Sequence, residues 1–217
     1  AGVRYSLENP LKTNAVNTTG TLNVLNAARE NNVNRVIFAS SSSVYGTPRY
    51  TPVDEEHPTN PMSIYGASKL VAEKYCQIHN DSLGLPTIIL RYHTVYGPRQ
   101  RPDMAIQKWT KRIFENKPPV IYGDGKQTRD LTYIDDILFG TIQAAQIEGY
   151  AGEVFNLGCG NRISANDLLQ HLVKLCGKED MVKPTYERAK PGDVRDTHAD
   201  ISKAKRILGY EPKTGLE

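Results

Sequence analysis

Long apolar runs are missing from this 217-residue chain. None approaches the ~18 residues that a membrane-spanning helix needs, and no signal-peptide pattern opens the sequence. The expectation is a cytoplasmic protein with no membrane partner. Cysteine is scarce: Cys76, Cys159 and Cys176 are odd in number and lack Cys-x-x-Cys spacing. That argues against a disulfide framework and for reduced thiols. The five histidines show no metal-ligand spacing, so no metal is expected. One-signed charge is lacking too. The net +3 is spread without a basic block, which makes nucleic acid a poor candidate partner; individual arginines facing phosphates account for it equally well. There are no repeats and no low-complexity segments. What is left, 39% hydrophobic and 24% charged residues, is enough for one large domain or two small ones.

The patterning alternates helix and strand. The first residues read as a loop entering a helix over 14–30, with Val16, Leu22, Val24 and Leu25, closed by Asn31-Asn32. Residues 35–39 are a short apolar run ending in serines, as in a buried parallel strand that delivers polar residues at its carboxyl end. A proline- and charge-rich loop follows over 46–61. The next helix opens at Tyr65, with Val71, Tyr75 and Ile78 as its apolar positions and Gly84 at its end. Residues 86–92 form a second buried strand, so the order predicts a right-handed crossover in a parallel sheet. Beyond Gly97-Pro98 come a helix over 105–116, a short strand over 120–122 before a Gly-Asp-Gly turn, and a helix over 135–146. A third apolar strand spans 153–158. Ser164 and Asp167 open a further helix in capping-box style, and a last short helix covers 202–208.

Tyr65 and Lys69 are four residues apart and project from one helix face. An ammonium below a phenol favours the phenolate and lowers a pKa that is otherwise about 10. Proton exchange near neutral pH needs a shift of roughly 3 units, or about 4 kcal/mol. One lysine does not supply all of that, so a second positive charge is wanted. Tyr-x-x-x-Lys also occurs at Tyr122/Lys126 and Tyr186/Lys190, but the former crosses a Gly-Asp-Gly turn and the latter runs into Pro191-Gly192. Only Tyr65 opens a helical pattern.

Five segments occur in one order along nearly the whole chain: Phe38-Ala39-Ser40-Ser41-Ser42-Ser43-Val44-Tyr45-Gly46; Tyr65-Gly66-Ala67-Ser68-Lys69; Arg91-Tyr92 with Val95-Tyr96-Gly97-Pro98; Tyr122-Gly123-Asp124-Gly125 with Arg129-Asp130; and Pro191-Gly192-Asp193-Val194 before Ala199-Asp200. Together they resemble the extended short-chain dehydrogenase/reductase family, in particular its NAD-dependent nucleotide-sugar epimerases and dehydratases. The resemblance implies an α/β fold: a parallel Rossmann-type sheet lacking its N-terminal strands, with a smaller α/β substrate-binding lobe. Residues 1–98 and 130–160 would form the C-terminal part of the NAD-binding domain, and 99–129 and 161–217 the nucleotide-sugar lobe. It also implies that Tyr65 is the general acid/base, that Lys69 tunes it and holds the nicotinamide ribose, and that Ser41 hydrogen-bonds the reacting hydroxyl. The oxidised nicotinamide is then the second positive charge. Asn17 and Tyr92 match positions near the cofactor, although an interior helix Asn can instead bond local backbone. Ser42 and Ser43 would lie beside the sugar, although serines also end strands simply by capping the next turn. Tyr122 and Arg129 would face the nucleotide, Arg129 as the diphosphate arginine, with Lys190 and Arg195 either beside it or as solvated surface charges. His93 replaces a usual aromatic and is read as packing.

The departures narrow the chemistry. Dehydratases of the family carry Asp-Glu at the positions of Ser42 and Ser43 to protonate a leaving hydroxyl, so two serines argue against elimination. The leading expectation is C4 epimerisation of a UDP-sugar by a homodimer. Decarboxylation of UDP-glucuronate, another nucleotide-sugar oxidoreduction and a silent UDP-sugar-binding fragment are the rivals. Residues 94–105 look like the UDP-glucuronate 4-epimerases, with Thr94 by the sugar-phosphate and Arg101 facing the C6 carboxylate. The family's Gly-x-x-Gly-x-x-Gly turn, which seats a dinucleotide on a helix N-terminus, has no match here; Gly2 and Gly20 are isolated. The expectation is that the chain starts after the fourth family strand, stops before a terminal helix, binds NAD poorly and can be an inactive truncated form.

Overall fold

The computed structural model describes residues 2–179, 183–190 and 192–216; Pro191 of the Pro-Gly-Asp segment lies outside them. The chain opens with helices rather than a loop. Helix α1 (Val3–Glu8) and α2 (Pro10–Asn14) lead through a π-helical turn (Ala15–Thr19) into α3 (Gly20–Glu30). Apolar periodicity is weak here because polar side chains satisfy the backbone: Ser6 Oγ donates to Val3 O (2.6 Å) and Thr13 Oγ1 to Asn9 O (2.9 Å). Pro10 sits in the first turn of α2, where its missing N–H costs nothing.

Strand β1 (Val36–Ser41), helix α4 (Ile64–Leu83) and strand β2 (Thr87–Tyr92) follow, close to the expected spans. Then come β3 (Thr94–Tyr96), α5 (Ala105–Phe114), β4 (Val120–Tyr122), β5 (Thr128–Arg129) and β6 (Leu131–Tyr133). The chain ends with α6 (Ile134–Gln146), β7 (Val154–Leu157), β8 (Ile163–Ser164), α7 (Ala165–Leu175), β9 (Thr185–Glu187) and α8 (Ser202–Leu208). Ser164 caps α7 as expected, its Oγ accepting from Asp167 N (3.1 Å). Strands β1, β2 and β7 form a parallel sheet in the order β1-β2-β7, with Ser41 opposite Tyr92 at the carboxyl end. Ile88, Ile89 and Leu90 are fully buried, each contributing roughly 1.5–3 kcal/mol. Successive residues of β2 alternate faces: Ile89 packs with Ala72 and Cys76 of α4, while Ile88, Leu90 and Tyr92 pack with Ile137 of α6 and Leu208 of α8.

The inward face of α4 differs from the apolar reading. Val71 and Ile78 are 40% and 51% exposed, whereas Ser68, Ala72, Glu73, Cys76 and His79 are buried. Burial of these polar groups is tolerated because each finds partners; His79, for example, meets Tyr75 O (2.8 Å) and Asn26 Oδ1 (3.2 Å). A second core joins Trp109 and Ile113 of α5, Ile121 of β4, Leu131 of β6 and Leu168, Leu169 and Val173 of α7. Residues 199–210, expected in that lobe, pack instead on the sheet: Ala199, Ile201, Ala204, Leu208 and Tyr210 join Phe155 and Leu157. Gly140 makes room, since a Cβ there would meet the Tyr210 ring at 2.8 Å, and the Tyr210 hydroxyl donates to Gly158 O (2.9 Å). The pairs β3–β6, β4–β9 and β5–β8 are two or three residues long; of these strands only β4, at 120–122, matches an expected one. Among the described residues no helix is long and apolar enough to cross a membrane, and no cluster of His, Cys, Asp or Glu could hold a metal ion.

Candidate active site

The serine run becomes a turn. Ser41 ends β1 and caps the 3-10 turn Ser42–Val44; its Oγ accepts from Ser43 N and lies 3.2 Å from Ser43 Oγ. Capping is therefore part of what these serines do. The first turn of α4 rests directly on this turn because residue 66 is glycine: a Cβ there would stand 2.5 Å from Ser43 O. That contact brings Tyr65 beside the serines. Ser63 starts the helix by accepting from Gly66 N (3.1 Å), and Tyr65 N donates to Ser6 Oγ of α1 (3.0 Å). Among the described residues the Tyr65 hydroxyl has no hydrogen-bond partner.

One turn on, Lys69 Nζ donates to Ala39 O (2.8 Å) and lies 5.0 Å from the Phe38 ring centroid. Burial pushes its pKa down, with Glu73 acting the other way. Asn17, in the π-helical turn, donates to Ser68 Oγ (2.9 Å), which donates to Tyr65 O (2.8 Å). So Asn17 reaches α4 rather than its own backbone, and a π-turn is a common way to aim one such side chain. Tyr92 stands opposite Ser41 in the register, but its side chain turns to the other layer. There its hydroxyl meets Thr141 Oγ1 (2.9 Å) and burial raises its pKa.

Sequence reasoning missed what holds this arrangement in place. Glu73, one turn beyond Lys69, is 2% exposed. It accepts from Ser40 Oγ (2.5 Å), Arg91 Nε (3.0 Å) and Arg91 Nη2 (2.8 Å). Arg91 Nη1 donates to the Tyr45 hydroxyl (3.0 Å), which donates to Asn156 Oδ1 (2.7 Å). The network ties α4 to all three strands. Burial works against the charge of Arg91, yet Glu73 and Tyr45 raise its pKa on balance, while burial lifts Tyr45 to about 12. His93 is 4% exposed and neither ring nitrogen has a partner among the described residues. Burial pushes its pKa down and His198 adds to this, against Asp130.

The lobe gathers the remaining candidates. The Tyr122 ring has Lys190 Nζ 4.8 Å from its centroid. Arg129 Nη1 donates to Thr128 O (2.8 Å) and Arg195 O (2.9 Å), and burial lowers its pKa against the pull of Asp193 and Asp196. Arg195 pairs with Asp124 at 3.1 Å. Gly123 and Gly125, with φ of 88° and 75°, form the turn that blocks a helix at Tyr122, and Tyr186 lies in β9. Thr94 opens β3, its N–H donating to Asp130 O (3.1 Å). Arg101 pairs with Asp103 (3.2 Å) on an exposed loop, its guanidinium close enough to Gly2 that a Cβ there would lie 3.0 Å away. A cavity of about 390 Å³ is lined by Arg129, Leu131, Cys159, Arg162 and Lys213, but not by Ser41, Tyr65 or Lys69. Ser41 and Tyr92 end β1 and β2 at the carboxyl edge of the sheet, where open α/β sheets bind ligands.

Comparison with known proteins shows the family. The model of a family described as GDP-mannose 4,6 dehydratase matches residues 1–217. A UDP-glucuronate 4-epimerase of Thermodesulfobacterium geofontis is 44% identical over 219 residues, covering all of this chain and 66% of the relative. A putative UDP-glucose 4-epimerase of Methanocaldococcus jannaschii is 37% identical, covering 99% of the chain and 70% of the relative. The crystal structure of the UDP-glucuronic acid 4-epimerase of Bacillus cereus, in complex with UDP-glucuronic acid and NAD, superposes with a TM-score of 0.94 at 39% identity. It spans all of this chain, which covers 68% of that structure.

Proposed function

Because the chain belongs to the GDP-mannose 4,6 dehydratase family, we propose that it carries the catalytic and sugar-binding residues of an NAD-dependent UDP-sugar 4-epimerase, with UDP-glucuronate as the substrate. The observation that carries this reading is the close approach of Gly66 to Ser43 O, which seats the first turn of the Tyr65 helix on the serine turn, with Lys69 one helical turn on.

The donor set fits the nicotinamide half of NAD: a phenol and an ammonium on successive turns of α4, and the Asn17 amide bonded to Ser68 between them. Asn17, Tyr65, Lys69 and the backbone near Tyr92 would hold it. When bound, NAD supplies the acceptor and donor of the C4 hydride. Tyr65 takes the proton from O4 and returns it, so the sugar passes through a 4-keto form that turns over and is reduced on its other face. Lys69, one helical turn on, holds the nicotinamide ribose beside it. Ser41 orients the reacting hydroxyl, and Ser42 and Ser43 line the sugar with neutral groups that cannot protonate a leaving hydroxyl. Tyr122, Arg129, Lys190 and Arg195 hold the uridine diphosphate, Arg129 with the planar fork that suits phosphate. Thr94 lies by the sugar-phosphate, and Arg101 faces the C6 carboxylate once it exchanges Asp103 for substrate. Residues 99–129 and 161–217 form the sugar-nucleotide lobe in this reading, with 199–210 reaching back to the sheet. The exposed Ile64, Val71 and Ile78 of α4 support a homodimer, and the three free cysteines support a cytoplasmic setting.

The test compares turnover of UDP-glucuronate and UDP-glucose by the complete protein with and without Arg101→Ala. A lost charge-assisted bond should lower UDP-glucuronate turnover roughly 10–150-fold and leave UDP-glucose nearly unchanged. Better turnover of UDP-glucose, or equal damage to both, overturns the carboxylate assignment.

A further inference from the structure

Helix α1 does more than cover α4. Ser6 Oγ accepts from Tyr65 N (3.0 Å) and donates to Val3 O (2.6 Å), which fastens α1 to the first turn of the Tyr65 helix. Arg4, on the same helix, reaches the lobe. Its Nη2 lies 2.8 Å from Asp193 Oδ2 and its guanidinium carbon 5.0 Å from the Tyr122 ring centroid. Tyr122 thus carries two cations, Arg4 and Lys190, at 5.0 and 4.8 Å. Gly192, at φ 80°, lets its turn close on α1; a Cβ there would meet Val3 at 3.1 Å and Leu7 at 3.3 Å.

Arg129 lies in the next strand of the lobe, bonded to Arg195 O (2.9 Å) two residues from Asp193. Burial lowers its pKa and Arg4 adds to this, against Asp193 and Asp196. Arg4 and Lys190 on one ring, with a single carboxylate paired to Arg4, leave cationic donors available to an anion. The Arg4–Asp193 pair is partly exposed, 44% and 33% at the two side chains, and such pairs are weak because solvent screens them. A diphosphate offers Arg4 more oxygens, in a geometry its planar fork matches. The Ser6–Tyr65 bond holds α1, so Arg4 is delivered to the cluster with little freedom to lose.

We propose that Arg4 is a further ligand of the substrate diphosphate, exchanging Asp193 for phosphate oxygens beside Arg129 and Tyr122. This rests on the nucleotide-sugar reading above. The alternative is that Arg4 only staples α1 to the Gly192 turn.

Titration calorimetry of UDP and of uridine, on the complete protein, separates the two. Arg4→Ala should weaken UDP binding about tenfold, while uridine, which lacks phosphates, should bind as before. Arg4→Lys keeps the charge but not the fork and should fall between. Asp193→Asn should tighten UDP about threefold, with most of that gain lost in the Arg4→Ala background. Where Arg4→Ala folds poorly, the Asp193→Asn variant alone remains a test, and UDP affinity no tighter than wild type refutes the assignment. Unchanged UDP affinity in Arg4→Ala, an equal loss for uridine, or an Asp193→Asn gain that persists without Arg4 each refutes the assignment. Wild-type protein that binds neither UDP nor uridine refutes the nucleotide-sugar reading itself, and Arg4's role with it.

Discussion

Removing the carboxylate of Glu73 is the sharpest perturbation of the scaffold beneath Tyr65 and Lys69. Glu73 and Arg91 are 2% and 7% exposed at their side chains and meet through two hydrogen bonds of 3.0 and 2.8 Å. Glu73→Ala leaves the guanidinium with only the Tyr45 hydroxyl (3.0 Å) and Glu55 O (3.2 Å). Stranding one member of a buried pair costs about 3–5 kcal/mol. A chain of this size loses about 2–4 °C of Tm per kcal/mol, so Glu73→Ala should melt roughly 6–20 °C lower. Urea titration gives the free energy directly. The double variant Glu73→Leu/Arg91→Leu removes both charges and should lose less than the two single leucine variants combined, because neither charge is stranded. A single-variant loss below about 1 kcal/mol, or strict additivity in the double, would refute the view that this pair fixes α4 to the sheet.

Two further substitutions probe the same region. Gly66→Ala adds a methyl 2.5 Å from Ser43 O and 3.0 Å from the Pro61 Cβ; crowding of about 1–3 kcal/mol should exceed the ~1 kcal/mol gained in helix propensity. Equilibrium melts and kcat check it: stability and kcat should both fall, and a more stable, fully active variant contradicts the close approach. His93→Phe should stabilise the protein by removing two buried nitrogens without partners. The folded pKa of His93 lies below its ordinary 6.5, so the unfolded chain binds more protons and stability falls as pH drops through about 6.5 toward the folded value. Urea titrations at several pH values between 5 and 7.5 should show a shallower loss for His93→Phe; parallel curves would sink the assignment.

The parts of the fold that were legible are those whose local signals are strong. Strands β1, β2 and β7 are continuous apolar runs, α7 has its serine cap, and α4 ends at Gly84 in the left-handed conformation (φ 71°). Strand β4 is legible over 120–122, but its partner β9 and the pairs β3–β6 and β5–β8 are not, because tertiary contacts, rather than any period, make such short strands. Glu73 could have been found: Arg91 in an otherwise apolar strand demands a buried carboxylate, and Glu73 continues the stripe of Tyr65 and Lys69. Ser6 and Arg4 left no such signal, since their partners Tyr65 and Asp193 lie 59 and 189 residues away. The inward face of α4 was misread because its buried polar residues are satisfied by partners on other elements.

The central claim is that Tyr65 exchanges the C4 hydroxyl proton of a UDP-sugar. Proton NMR of UDP-glucuronate incubated with the complete protein and NAD, comparing wild type with Tyr65→Phe, tests it most directly. The wild type should accumulate the C4 epimer, and Tyr65→Phe should lose at least about 100-fold in rate while binding UDP as tightly as before. Epimer formed by Tyr65→Phe at the wild-type rate, or no epimer from any UDP-sugar with the wild type, would contradict the account.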